Sequence, residues 1–270
     1  MTHRTLEVAL LPQLIAPDAL AGRGVIVIDV LRATTTIAAA LAAGAREVLP
    51  VAEVATALGL AAQPRELRAV LGGERRGVQI EGFDFGNSPR EYTPASVGGR
   101  TVIFTTTNGT QAMEHARQAK RIWCGAFVNA AAVARAAAKE ASLVLLCAGT
   151  ERNVTREDAL LAGCLVWRLA AIDEAWRPDR ATWNDQAHLV ADAWRNVVGP
   201  DADPARWPGT PEQIAQLAGE LRNSCGGRNL QALGLEWDID DAAQVDRFAI
   251  APELDVAAWR IVAGGAAMKH

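Results

Sequence analysis

Short runs of branched apolar residues alternate along this chain with longer, alanine-rich stretches, from Val25 to about Ala171. The runs Val25 to Asp29, Glu47 to Val51, Ala69 to Leu71, Thr101 to Thr105, Arg121 to Cys124 and Ser142 to Cys147 have the length and composition of buried strands. Helices are predicted over Thr35 to Ala43 with Gly44 as the stop, Thr110 to Ala119, Ala130 to Lys139, and Thr155 to about Ala171. Such alternation predicts an α/β fold, with a mainly parallel sheet layered by helices. Sheets of this kind bind ligands beyond the carboxyl ends of their strands, so the expectation is two α/β lobes with the site at strand ends in the cleft between them.

From about Trp176 the texture changes. Trp176, Trp183, Trp194 and Trp207 accompany a segment punctuated by Pro200, Pro204, Pro208 and Pro211. We read residues 1–175 as the α/β unit carrying the polar motifs and residues 176–270 as a more helical lobe completing the fold. The tryptophans read as core and interface anchors, because no basic groove accompanies them. Apolar faces in this half are candidates for a homodimer interface.

The chain has 270 residues, half of them apolar, and a formal charge of −4. That balance argues against a nucleic-acid surface, which needs a dominant basic stripe. Cys124, Cys147, Cys164 and Cys225 are widely spaced with no Cys-x-x-Cys pair, so neither a disulfide framework nor a zinc knuckle is expected. The early stretch Val8 to Leu14 is broken by Pro12 and is not read as a secretory leader, and no apolar run is long enough to span a bilayer. A cytoplasmic protein with no membrane contact is expected.

Two polar runs, Asp29-Val-Leu-Arg-Ala-Thr-Thr-Thr36 and Thr105-Thr-Thr-Asn-Gly-Thr110, each follow a strand-like segment and open a helix-like one. Hydroxyls beside the free N–H groups of a helix start suit an anion, whereas the plainer reading makes one Thr a cap and the others strand ends. Recurrence in the same context favours function. Gly72-Gly-Glu-Arg-Arg-Gly77 and Gly82-Phe-Asp-Phe-Gly-Asn-Ser-Pro89 read as loops that allow close backbone approach. Ser142 to Thr150 ends a buried strand in small residues, and Glu157 and Asp158 lie in the first turn of the next helix. There they serve either as dipole-compensating charges or as hard oxygen ligands for magnesium.

As an ordered set, Asp29 to Thr36, Gly73-Glu-Arg75, Gly82 to Pro89, Thr105 to Thr110, Cys147-Ala-Gly-Thr150 and Glu157-Asp158 with Ala162-Gly163 resemble the 2-phosphosulfolactate phosphatases of coenzyme M biosynthesis. A weaker match runs through Ser224, Gly227-Arg-Asn-Leu230, Gly234 and Asp238-Ile239. The resemblance implies magnesium-dependent hydrolysis of a small anionic phosphomonoester, 2-phosphosulfolactate, to 3-sulfolactate and phosphate.

On that reading Asp29, Glu74, Glu157 and Asp158 are the candidate Mg2+ ligands. Asp29, Arg32, Glu74 and Asp158 are the candidate catalytic groups. Thr34, Thr35, Thr36, Thr106, Thr107, Asn108 and Gly109 would cradle anionic oxygens, Arg32 and Arg75 would pair with substrate anions, and Asn87, Ser88, Cys147 and Gly149 would line the site. The alternative for Arg32 is a salt bridge to Asp29, and for Glu74-Arg75 a solvated loop. Asp29 lacks the second aspartate two positions on that haloacid-dehalogenase phosphatases use, and Cys147 lacks an arginine at tyrosine-phosphatase spacing. Acid-assisted attack by magnesium-bound water is expected, with an aspartyl-phosphate on Asp29 left open. The histidines His3, His115, His188 and His270 are scattered, which disfavours zinc. Asp238-Ile-Asp-Asp241 reads as an acidic helix start. Two further readings stay open: a phosphatase for another phosphorylated hydroxy acid, and a non-catalytic small-anion-binding protein.

Overall fold

The computed structural model describes residues 3–63, 69–204 and 206–264. Among the described residues eleven strands form in chain order: β1 (Arg4–Ala9), β2 (Gly24–Ile28), β3 (Glu47–Pro50), β4 (Val70–Arg75), β5 (Val78–Gln79), β6 (Thr101–Thr105), β7 (Arg121–Gly125), β8 (Ser142–Cys147), β9 (Ala181–Trp183), β10 (Glu253–Asp255) and β11 (Arg260–Val262). Ten α-helices of the described residues accompany them: α1 (Ala33–Ala42), α2 (Val54–Ala61), α3 (Pro94–Val97), α4 (Gly109–His115), α5 (Ala130–Ala137), α6 (Arg156–Ile172), α7 (Asp185–Val198), α8 (Pro211–Arg222), α9 (Cys225–Ala232) and α10 (Trp237–Ala242).

The central strands are apolar at every position because both sheet faces are covered. In β2, Ile26 and Ile28 enter the core beneath α5, α6 and α7, while Val25 and Val27 enter a second core against α1 and α4. Leu143, Leu145 and Cys147 of β8 join the first core and Val144 and Leu146 the second, which is the period-two alternation of a strand buried on both sides. Trp176, Trp194 and Trp207 all belong to the first core, with the Trp194 ring 5.7 Å from Phe127 and 4.8 Å from Trp207.

All strands join one mixed sheet in the order β5-β4-β6-β3-β11-β10-β7-β2-β8-β1-β9. β4, β6 and β3 are mutually parallel, as are β7, β2, β8, β1 and β9, and the hairpin of β10 and β11 joins the two sets through antiparallel pairings. Three antiparallel steps make the sets run oppositely in sheet sense. The ordinary strand twist accumulates to roughly 100° over the five steps from β2 to β6, which helps turn their carboxyl ends toward one another. Residues after 175 supply β9, β10 and β11 to this same sheet.

The segment 72–77 departs from the loop expected there. β4 runs on through Gly72, Gly73, Glu74 and Arg75 before turning. A Cβ at Gly72 would lie 2.1 Å from the Tyr92 hydroxyl, and one at Gly73 (φ +145°) 2.0 Å from the Thr105 carbonyl oxygen. Only glycines let β4 press this closely on its neighbours, and that approach delivers Glu74 to the carboxyl end of β6. The helix expected over 110–119 ends at His115, because the chain then turns: Ala119 bridges to Ala21 and the Lys120 amide donates to the Arg23 carbonyl. Among the described residues no helix is long and apolar enough to cross a membrane.

Candidate active site

The turn from β2 into α1 is built by its own hydroxyls. Thr34 Oγ1 donates to the Asp29 carbonyl (2.8 Å) and accepts from the Asp29 amide (3.1 Å), Thr35 Oγ1 donates to the Val30 carbonyl (2.8 Å), and Thr36 Oγ1 donates to the Asn87 carbonyl (2.9 Å). All three threonines are buried. Their hydroxyls satisfy backbone groups that the turn would otherwise orphan, and none lines the neighbouring cavity. Thr106 and Thr110 do the same at the start of α4, exchanging side-chain and backbone hydrogen bonds.

These turns hold Asp29 at the floor of a cavity of about 340 Å³. Its Oδ1 accepts from the Ala33 amide at 3.2 Å. Across from it, α4 approaches through Gly109, where a Cβ would sit 2.5 Å from the Ala33 Cβ and 2.8 Å from Asp29 Oδ2. Glu74 enters from β4, its Oε1 accepting from the Thr107 amide (2.7 Å) and its Oε2 from the Gly77 amide (2.6 Å). Arg32, Arg76, Asn87, Thr107, Asn108, Thr150 and Glu151 complete the wall, and α9 closes it with Gly226, Asn229 and Leu230.

Of the residues singled out by sequence, the structure brings Asp29, Arg32, Glu74, Asn87, Thr107 and Asn108 to this cavity. Arg32 does not bridge to Asp29: its Nη1 donates to Asp238 at 2.8 Å and its Nη2 to the Gly77 carbonyl at 2.9 Å. Arg75 is turned away, donating to the Glu74 and Ala52 carbonyls and to Thr105 Oγ1. Ser88 Oγ donates to Asp238 at 2.6 Å. Cys147 faces the first core, and Gly149 (φ +65°) serves through its backbone amide.

Glu157 and Asp158 stand behind the cavity wall. The Asp158 oxygens accept from the Val30 amide (2.9 Å) and the Gly149 amide (3.0 Å), lashing the loops after β2 and β8 together. Glu157 Oε1 accepts from Gly226 (3.1 Å), while its Oε2 is buried without a partner among the described residues.

Four buried carboxylates therefore crowd one region. Burial pushes the Asp29 carboxyl up to about 7, and the charges of Glu74 and Glu157 add to this against the Ala33 N–H bond and the more distant Arg32. Burial also drives Asp158 well above the carboxylate range, reinforced by Glu157 and Asp29, and raises Glu157. The Cys147 thiol is pushed up by burial and by both acids, so it is not a thiolate nucleophile.

Sequence reasoning gave no site role to Asp238, Arg76 or α9, although Asp238 and Gly227–Leu230 of α9 belong to the weaker part of the family resemblance. Asp238 looked like one of several acids at a helix start, but it is 2 % exposed and its Oδ1 and Oδ2 take Ser88 and Arg32. The signal for Arg76 lay in Glu-Arg-Arg-Gly-Val-Gln, where Arg75 pairs with Val78 across a two-residue turn.

The family model described as 2-phosphosulpholactate phosphatase matches residues 9–256. A protein of Symbiobacterium thermophilum named "Probable 2-phosphosulfolactate phosphatase" is 39% identical over 237 residues, covering 87% of this chain and 92% of its own. One of Deinococcus radiodurans with the same name is 38% identical over 252 residues, covering 92% of each chain. A third, from Caldanaerobacter subterraneus, is 36% identical over 233 residues, 86% of this chain and 88% of its own. With the motif order, the match along nearly the whole chain and the cavity where those motifs meet, this chain belongs to the 2-phosphosulfolactate phosphatase family.

Proposed function

We propose that the protein is a magnesium-dependent phosphomonoesterase that hydrolyses 2-phosphosulfolactate to 3-sulfolactate and phosphate. The observation that carries this reading is the meeting of Asp29 and Glu74 on one cavity wall, with two further buried carboxyl groups behind them and Arg32 beside them. A dianionic phosphoryl group would be repelled by such a wall unless a cation stood between.

Among the described residues no three His, Cys, Asp or Glu side chains are grouped to hold a metal by themselves. The donor set nonetheless fits magnesium, which takes one or two carboxylates and completes its shell with water and substrate oxygens. Asp29 and Glu74 are hard oxygen donors on the cavity, and Asn87 Oδ1 is a buried oxygen without a hydrogen-bond partner among the described residues. Asp29 and Glu74 would hold the ion, and Glu157 and Asp158 behind them would strengthen its binding to the extent that the ion draws off their protons. Bound magnesium supplies charge neutralisation at the phosphoryl oxygens and lowers the pKa of coordinated water.

The remaining work falls to the chain itself. Arg32, fixed by Asp238, presents its remaining N–H groups to anionic oxygens. Asn108 offers its side-chain amide to the same oxygens, while Thr107 holds Glu74 through its amide and its hydroxyl. Attack of water on phosphorus breaks the bond to the substrate's C2 oxygen, which leaves as the hydroxyl of sulfolactate.

The test is phosphate release from 2-phosphosulfolactate, phospholactate and a simple phosphomonoester, each with Mg2+ and with EDTA. Mg2+-dependent release favouring phosphosulfolactate is expected. Equal release from all three would retain the phosphatase and refute the substrate, and anion binding without release would refute catalysis.

A further inference from the structure

The turn between β4 and β5 consists of Arg76 (φ +54°) and Gly77 (φ +80°). Two-residue hairpin loops with both residues left-handed favour Asn-Gly or Gly-Gly, since a longer side chain at the first position is sterically disfavoured. Here that position holds an arginine.

The backbone around it is anchored. The Arg76 amide donates to Thr107 Oγ1 at 3.4 Å, the Gly77 amide to Glu74 Oε2 at 2.6 Å, and the Gly77 carbonyl accepts from Arg32 at 2.9 Å. The side chain is not: among the described residues the Arg76 guanidinium has neither a hydrogen bond nor an ion pair, and it is exposed at the rim of the cavity that Asp29 and Glu74 line. By contrast, Arg75 is committed to Ala52, Glu74 and Thr105, and Arg32 is held deep in the site by Asp238 and the Gly77 carbonyl. A free guanidinium thus stands on a fixed base at the mouth of an acidic site.

The substrate of the preceding section carries three anionic groups. Its carboxylate shares a carbon with the phosphoryl oxygen and must enter with it, whereas the sulfonate lies one carbon further out. Resting on that reading, we propose that Arg76 is a specificity-determining residue that captures the sulfonate at the cavity rim. The planar fork of arginine suits a three-oxygen anion, and binding away from the reacting phosphorus acts on substrate affinity.

The test compares kcat and KM for phosphosulfolactate and phospholactate in the wild type, Arg76→Asn and Arg76→Lys. Asparagine suits a left-handed turn, so Arg76→Asn removes the guanidinium while preserving the hairpin. The expected result is a fall of about 10- to 100-fold in the preference for phosphosulfolactate, the scale of one charge-assisted hydrogen bond, carried by KM and partly restored in Arg76→Lys. An unchanged preference in Arg76→Asn, or equal losses on both substrates, would overturn the role of Arg76 and leave the phosphatase reading standing. No phosphate release from phosphosulfolactate by the wild type would overturn both.

Discussion

Arg32 and Asp238 lie 206 positions apart in sequence and meet at 2.8 Å, with side chains 4 % and 2 % exposed. The pair ties the β2–α1 turn to α10, and Ser88 on the other Asp238 oxygen brings in the segment 87–91. Removing one partner of a buried pair leaves the other charge uncompensated, typically at about 3–5 kcal/mol. Asp238→Ala should lose stability on that scale in urea titrations and should lose activity as Arg32 is released. Asp238→Asn, which keeps hydrogen bonding, should retain more of both.

Gly109 is the place where α4 touches the β2–α1 turn, with room for hydrogen but not for a methyl group. Gly109→Ala should push Asp29 and Ala33 aside, costing about 1–3 kcal/mol of stability by overpacking. Kinetics of the folded variant should show a fall in kcat exceeding any change in KM, because the displaced group is Asp29.

The raised carboxyls set the pH dependence of the metal-free protein. Asp29 titrates near 7 when folded against an ordinary value of 3.8, and Asp158 and Glu157 shift in the same direction. The folded state therefore holds more protons than the unfolded chain between these values, so the stabilisation is complete below about pH 4 and is lost as pH rises toward 7. Thermal denaturation in EDTA should show this decline. Added Mg2+ should raise the midpoint more at pH 8 than at pH 5, where protons compete for the same oxygens.

Asp29→Asn separates stability from chemistry. Replacing the ionised carboxylate by a neutral amide removes the buried charge, so the metal-free variant should unfold at a higher midpoint than wild type near pH 8. Its phosphate release with Mg2+ should be abolished. Retained turnover would remove Asp29 from the mechanism.

The limits of legibility in the sequence follow from the range of the interactions. β6 and β8 have the bounds that their apolar runs predicted, and α6 starts one residue after the Thr155 at which the sequence placed its start. Short elements were less visible: β10 and β11 have three residues each, and their place between β3 and β7 is a property of the sheet rather than of their own composition. Asp29 was legible as a carboxylate at a strand end, whereas Glu74 was read in a loop that the structure makes the end of β4. Thr34, Thr35 and Thr36 were legible as a motif, but hydroxyls that serve the backbone and hydroxyls that serve a ligand have the same sequence.

What the amino-acid sequence by itself determined was the α/β class, its buried parallel strands and the polar turns at their ends, because apolar periodicity and turn chemistry act over a few residues. Tertiary structure alone decided which charges pair. It gave Arg32 to Asp238, turned Arg75 inward and left Arg76 at the rim, because burial and ion pairing depend on segments that only the twisted sheet brings together.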